Sequence, residues 1–383
     1  MRQQSLFQSQ RTTLEDAVEM ALDSLRAYAP HYRHWAIAYS GGKDSSTLAT
    51  LIPWAILTGR LPRPESLTIL YADTRQELPP LQQTAMRLMA DLRIEGFDAQ
   101  VVLPEIDDRF YVYMLGLGVP PPSNTFRWCT PKIKIEPMQA ALSWLRQSAG
   151  EKLLMLTGVR LGESEVRDAR IAVSCSKDSG ECGQGWMQVS TPESLADTLA
   201  PLLNWRLCHV YDWLYFDPYG HGFRVDGIAD VYGEDEVRTG CVGCNLASKD
   251  TALIRLLRNP QWSHLYPLMG LKPLFAELKQ AKWRKRKVEP EKRQDGQYGK
   301  NVQRMGPLTM AGRAYGLERV KDIQERAGVD LINAEEEARI REMWRLDMWP
   351  QKWSAEDTNA DVMIDAIRLD STGQPVTQPL LVR

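Results

Sequence analysis

Apolar positions in the first 160 residues follow two alternating rhythms. Short continuous runs at 35–39, 67–71, 99–103 and 153–157 read as strands buried on both faces. Between them lie helical patterns. Thr13 to Tyr28 places Leu14, Val18, Ala21, Leu22 and Leu25 on one face, and a second helical run spans about 45–57. A third, from Pro80 to Arg93, turns Leu81, Ala85, Leu88 and Leu92 inward and stops at Gly96. A fourth runs from Pro137 to Gln147. Apolar strands alternating with amphipathic helices predict an α/β fold, a parallel sheet with helices on both faces. Ligands on such sheets bind beyond the carboxyl ends of the strands. Ser40-Gly41-Gly42, Asp73 and Gly158-Val159-Arg160 all fall at such ends.

The rhythm changes after about Arg160. Residues 174–190 are rich in Gly, Ser and Cys and read as loop, and 201–258 carry short apolar stretches with many aromatics. From Lys279 to Arg304 there are ten Lys/Arg against three Asp/Glu, which predicts a mobile basic segment. Helical periodicity returns from Thr309 to about Trp349, and the end of the chain reads as a tail. The pattern predicts an α/β nucleotide-binding domain over 1–170 and a Cys-containing region over 171–278 that completes it. A basic linker over 279–305, a helical region over 306–350 and a tail over 351–383 follow.

Composition narrows the class. The 383 residues are 43% hydrophobic and 25% charged, as in a globular protein with room for two domains. No run of 18 apolar residues exists and the N-terminus lacks a secretion-type apolar core, so a cytoplasmic location is expected. A formal net charge of -2 gives no general attraction to nucleic acid, so such contacts must come from local patches. Six cysteines in such a chain point to thiol or metal chemistry rather than a disulfide framework.

Ser40-Gly41-Gly42-Lys43-Asp44-Ser45-Ser46 joins the first strand to the next helix. Two glycines let backbone approach an anion, and the following amides sit at a positive helix end. The GxxxxGK[ST] spacing is absent, so this is a different phosphate loop. Lys43 can neutralise phosphate charge and Asp44 can orient magnesium. Asp73, after the second strand, can accept from a ribose hydroxyl or adenine amine or help hold the metal. Arg160, behind Gly158, can clamp a phosphate in a bidentate way.

The cysteines divide. Cys241 and Cys244 have the spacing by which two thiolates hold one metal, and Cys175 and Cys182 could supply two more ligands for zinc or a 4Fe-4S cluster. Cys129 lies among Arg127, Lys132 and Lys134, which should lower its pKa and make it a candidate ligand or sulfur carrier. Cys208, in an apolar context, reads as core, and the five histidines form no ligand pattern. Lys282-Trp283-Arg284-Lys285-Arg286-Lys287 could hold a polynucleotide backbone, with Trp283 and Tyr298 stacking on bases.

Taken together, these residues resemble the phosphoadenosine phosphosulfate reductase branch of the PP-loop ATP pyrophosphatases, with an adenine nucleotide alpha hydrolase-like fold. Within it they are most similar to the sulfurtransferases of DNA phosphorothioation, the Dnd and Ssp type. The resemblance rests on Ser40–Ser46, on Tyr71-Ala72-Asp73-Thr74 with Glu77 and Pro79, and on Arg127-Trp128-Cys129-Thr130 through Ile135. It rests further on Gly158-Val159-Arg160 with Glu163, Ser164 and Arg167, on Gly240-Cys241-Val242-Gly243-Cys244 with Lys249-Asp250, and on Gly306-Pro307-Leu308-Thr309. The cysteine pairs of sulfate-assimilation reductases are missing, which argues against that pathway. The resemblance implies ATP and Mg²⁺, and a 4Fe-4S cluster or zinc on Cys175, Cys182, Cys241 and Cys244. Catalytic roles fall to Lys43, Asp44, Ser45, Arg160 and Cys129, and the implied partners are DNA, a cysteine desulfurase and other phosphorothioation proteins. Thiolation of tRNA, sulfonucleotide reduction and a non-catalytic nucleotide-binding role are the alternatives.

Overall fold

The computed structural model describes residues 12–162, 169, 180–181, 186–188, 194–217, 219–233, 239–292, 295–299 and 301–378. The chain forms two compact units. One comprises Met1–Asp73, Leu78–Leu103 and Ile135–Thr239; the other comprises Thr74–Glu77, Pro104–Lys134 and Gly240–Arg383.

In the first unit, α1 (Leu14–Tyr28) starts at Thr13, whose side chain forms a capping box with Asp16. There follow β1 (His34–Tyr39), α2 (Lys43–Leu57), β2 (Ser66–Ala72), α3 (Pro79–Ile94) and β3 (Asp98–Val102). Next come α4 (Glu136–Ala149), β4 (Leu153–Thr157), β5 (Gly180–Glu181), β6 (Trp186–Gln188) and β7 (Ala196–Ala200). The sheet runs β3-β2-β1-β4-β7-β6-β5. The first five positions in that order are parallel, and β6 and β5 close one edge antiparallel.

Both faces are covered, as the apolar runs require. Ala36 and Leu70 share a core with Leu142 of α4 and Leu153. Tyr39 points the other way along the pleat, and the Ser46 hydroxyl of α2 donates to its phenol oxygen at 3.4 Å. Strand order reverses at β1, between β2 and β4, the kind of switch point at which sheets of this type bind ligands beyond the carboxyl ends. Past the sheet come α5 (Leu207–Tyr211) and α6 (Gly227–Tyr232). Cys208, expected in the core, is exposed. Its short helix turns Val210 and His209 inward instead, and the His209 ring is held by the Arg206 amide at 3.1 Å and the Thr12 carbonyl at 3.0 Å.

In the second unit are α7 (Thr251–Leu256), α8 (Leu271–Leu278), β8 (Arg284–Arg286), β9 (Met305–Leu308), α9 (Met310–Ala327) and α10 (Ala334–Arg345). Thr309 caps α9 by accepting from the Gly312 amide at 3.0 Å. β10 (Thr358–Asn359) completes a sheet of order β10-β8-β9, and β11 (Ala366–Leu369) and β12 (Pro375–Gln378) form a hairpin.

Two expectations change here. The basic segment around 279–305 contains a central strand, not a flexible linker. Lys285 is buried and donates to the carbonyls of Ala355 (2.8 Å) and Asp357 (2.7 Å), and Lys287 pairs with Asp357 at 2.8 Å. Lys287 and Arg304 both lie against the Trp353 ring. Long aliphatic stems pack while their charged heads find carbonyls and ring faces, so a high cation count did not mean disorder. The expected tail likewise supplies β10 and the hairpin.

Candidate functional site

The chemistry of the first unit gathers where β1 and β4 end. Gly41 has φ +74°, in the left-handed region that favours glycine, and turns the chain from β1 into α2. Gly42 is the N-cap of α2, and no side chain caps that end. The Ser46 amide closes the first helical bond, to the Gly42 carbonyl at 2.9 Å. The amides of Lys43, Asp44 and Ser45 precede it and have no intrahelical acceptor. An uncapped helix start at a topological switch point is an anion site by construction.

The loop is pinned from within. The Ser45 hydroxyl reaches the Gly42 carbonyl at 3.0 Å and accepts from the Ser40 amide at 3.2 Å, with the Ser40 hydroxyl 3.1 Å away. Ser45 and Ser40 therefore shape the turn, and the Ser40 amide is already engaged. From β4, Gly158 comes so close that a Cβ there would lie 2.7 Å from the Asp44 carbonyl oxygen. That close approach brings Arg160 under the start of α2.

Asp44 is 9% exposed and lies between two cations. Arg160 Nε donates to one carboxylate oxygen, and Lys43 Nζ is 3.3 Å from the other. Arg160, 4% exposed, also donates to the Trp205 carbonyl at 3.1 Å. Two positive groups around one carboxylate leave one surplus positive charge beside the loop amides. Asp73 is buried at the end of β2, and Gln82 of α3 donates to its carboxylate oxygens at 3.3 and 3.4 Å. The residues expected to bind nucleotide thus share one sheet edge.

Tyr232 of α6 completes the setting, and sequence reading missed it. Its ring lies 4.7 Å from Lys43 Nζ, its hydroxyl is 2.7 Å from that of Thr239, and a Cβ on Gly42 would come within 3.2 Å of that hydroxyl. No local signal marks this tyrosine; only the return of α6 to the loop does.

The second unit holds Cys129, Cys241 and Cys244. The Cys241–Cys244 turn is held by the Val242 amide on the Gln76 carbonyl (2.8 Å), the Gly243 amide on Asp250 (3.2 Å) and Lys272 Nζ on the Cys244 carbonyl (3.0 Å). Gly243 has φ +68°, and Leu271 would collide with any Cβ there. Cys129 stands close enough to both thiols that their charges interact. Burial pushes the Cys241 thiol up to about 12, with Glu77 adding to the rise and Lys134 opposing it.

Cys129 corrects another expectation. Burial raises its pKa, opposed by hydrogen bonding to Thr130, rather than neighbouring cations lowering it. Lys132 pairs with Asp108 at 3.2 Å, so its charge is compensated. Cys175 and Cys182 lie outside the described residues. Among the described residues no three His, Cys, Asp or Glu side chains are arranged to hold a metal ion. Trp283, expected to stack on bases, stacks on Tyr315 instead (4.7 Å, 10°), while Tyr298 faces Lys292.

Residues 34–218 match the family model of the phosphoadenosine phosphosulfate reductase domain. No curated protein matches the chain. Among solved structures, a phosphoadenylyl-sulfate reductase from Candida auris in a phosphate complex is 14% identical, covering 56% of this chain and 88% of that one, with a TM-score of 0.33. The tRNA thiolase NcsA from Methanococcus maripaludis, solved with its 4Fe-4S cluster, is 14% identical over 70% and 82%, TM-score 0.33. An NMN synthetase from Francisella tularensis is 13% identical over 65% and 93%, TM-score 0.33.

Proposed function

We propose that this chain, whose residues 34–218 match the family model of the phosphoadenosine phosphosulfate reductase domain, is an ATP pyrophosphatase and sulfurtransferase acting on the DNA backbone in phosphorothioation. The observation that carries the proposal is the uncapped start of α2 with Lys43, Asp44 and Arg160 gathered on it. Motif and setting agree there.

ATP arrives with Mg²⁺. The loop amides and Lys43 take its phosphates, and Lys43 exchanges Asp44 for phosphate oxygen as it does so. The Asp44 oxygen so released would hold Mg²⁺, while Arg160 keeps the other oxygen. A non-bridging phosphate oxygen of the acceptor attacks the α-phosphorus. The bond from that phosphorus to the bridging oxygen breaks, and pyrophosphate leaves. Negative charge grows on the leaving oxygens, where fixed amides and a lysine stabilise it without reorganising. The acceptor phosphate now carries AMP as its leaving group.

Sulfur then enters as a persulfide received from a cysteine desulfurase, and Cys129 is the proposed carrier. Its terminal sulfur attacks the acceptor phosphorus and AMP departs with the bonding pair. An external thiolate attacks the Cys129 sulfur, which releases the phosphorothioate and leaves a mixed disulfide that a second thiol reduces. A 4Fe-4S cluster or zinc on Cys241 and Cys244, with Cys175 and Cys182, belongs to the proposal. The described residues do not complete such a site, and no step passes through it.

Asp44→Ala or Ser45→Ala is expected to cut pyrophosphate release by ~100-fold, the usual effect of losing one preorganised contact. Turnover like wild type would remove the nucleotide-loop assignment. Labelled sulfur from a desulfurase should appear in DNA; incorporation into tRNA alone would move the acceptor to RNA.

A further inference from the structure

The second unit buries cations for which it provides no anion. Arg284 is 8% exposed, yet neither it nor Arg286 nor Lys279 makes an ion pair among the described residues. Arg284 spends only Nε, on the Gly306 carbonyl at 2.5 Å. Its terminal nitrogens make no bond among the described residues and are not sealed from solvent. Arg286 lies two positions along β8, beyond a register shift between the pairs Arg284–Leu308 and Arg286–Met305, and its buried Nε has no hydrogen-bond partner among the described residues. Lys279 follows α8 as its C-cap, half-buried and near enough to feel the Arg284 charge.

Other cations of this region have more partners. Arg313 is fully buried and donates through Nε and Nη1 to the carbonyls of Gly116, Leu308 and Met348, with Nη2 alone lacking a partner among the described residues. Lys285 has two carbonyls, Lys287 has Asp357, Arg304 has Glu291 and Lys282 has Glu277. Burial lowers the pKa of Arg284 to about 10, and no carboxylate offsets it. A buried guanidinium without a partner is strongly unfavourable unless an anion joins it.

We propose that Arg284, Arg286 and Lys279 form an oxyanion site that takes a phosphate group, supplied by a polynucleotide backbone or by a free phosphate compound. A guanidinium anchored through Nε presents its two terminal nitrogens as a fork that matches two phosphate oxygens. Arg286 and Lys279 add charge from further along β8 and from the end of α8.

The test is titration of the full chain with inorganic phosphate, with pyrophosphate and with short single- and double-stranded oligonucleotides. It is run in the Lys43→Ala background, where the nucleotide loop no longer competes. Failure of the ATP reading and failure of this one are therefore separable. Arg286→Gln and Lys279→Gln should each weaken binding ~5–10-fold, whereas Lys282→Gln, removing a paired exposed lysine, should not. If a backbone supplies the phosphate, each of the first two variants also flattens the log–log salt dependence of oligonucleotide binding by about 1. If only the phosphate and pyrophosphate arms respond, the site serves free phosphates. Arg284→Lys, which keeps the charge without the fork, should weaken binding at unchanged melting temperature. Equal affinity in Arg286→Gln, Lys279→Gln and the parent, or no binding in any arm, overturns the proposal.

Discussion

Asp44 organises its surroundings by being outnumbered. Arg160 and Lys43 share one carboxylate, and Tyr232 lies under Lys43. The arrangement holds a lysine beside the uncapped start of α2, so under the proposed function its placement is not achieved at the expense of binding energy. Tyr232 is thereby a positioning residue. Tyr232→Phe keeps the ring and loses the hydroxyl that meets Thr239, so kcat/KM for ATP should stay near wild type. Tyr232→Leu removes the ring face and should lower it by ~5-fold, the scale of a partly buried cation–π contact. Equal effects from both variants would show that Tyr232 acts through packing alone. Sequence made Lys43 and Asp44 visible because they stand inside a short motif. It could not show Tyr232, whose only link to them is spatial, nor that Arg160 would be bound to Asp44.

At the level of elements, strand β8 shows how charge pattern misleads. Six residues from Lys282 to Lys287 include five cations, which reads as a solvated run. Folding distributes them instead into a ladder of ring faces and carbonyls. Arg313 anchors that arrangement from α9, with its guanidinium 3.9 Å from the Trp349 ring centroid. A Cβ on Gly118 would lie 2.4 Å from Arg313 Nε, so the backbone there is shaped around the arginine. Arg313→Met fills similar volume but leaves buried carbonyls without donors. It should destabilise the second unit by roughly 3 kcal/mol, read as a lower urea midpoint. The α/β elements were easier to read. Their apolar runs are long and their helical periodicity regular, so observed and expected bounds of β1 to β4 differ by a residue or less. β8 carries no such pattern, because its core-facing atoms belong to residues usually counted as polar.

For the whole molecule, the open chemical question is what the thiols hold. Protein purified without oxygen should absorb broadly near ~400 nm if thiolates hold iron and sulfide. Cys241→Ser should abolish that band. Loss of the band in Cys129→Ser as well would make Cys129 a ligand rather than the sulfur carrier. A colourless, zinc-free wild type would take the metal out of the proposal. Sequence alone determined the parallel sheet, the glycine turn between β1 and α2 and the strand ends that carry Asp73 and Arg160. Those depend on periodicity and on local backbone freedom, both of which are written in neighbouring residues. Tertiary structure decided which charges are paired, which thiols are near one another and which arginines are left without an anion. Partners in those contacts are far apart along the chain, and burial, which sets what an unpaired charge costs, exists only once the chain has folded.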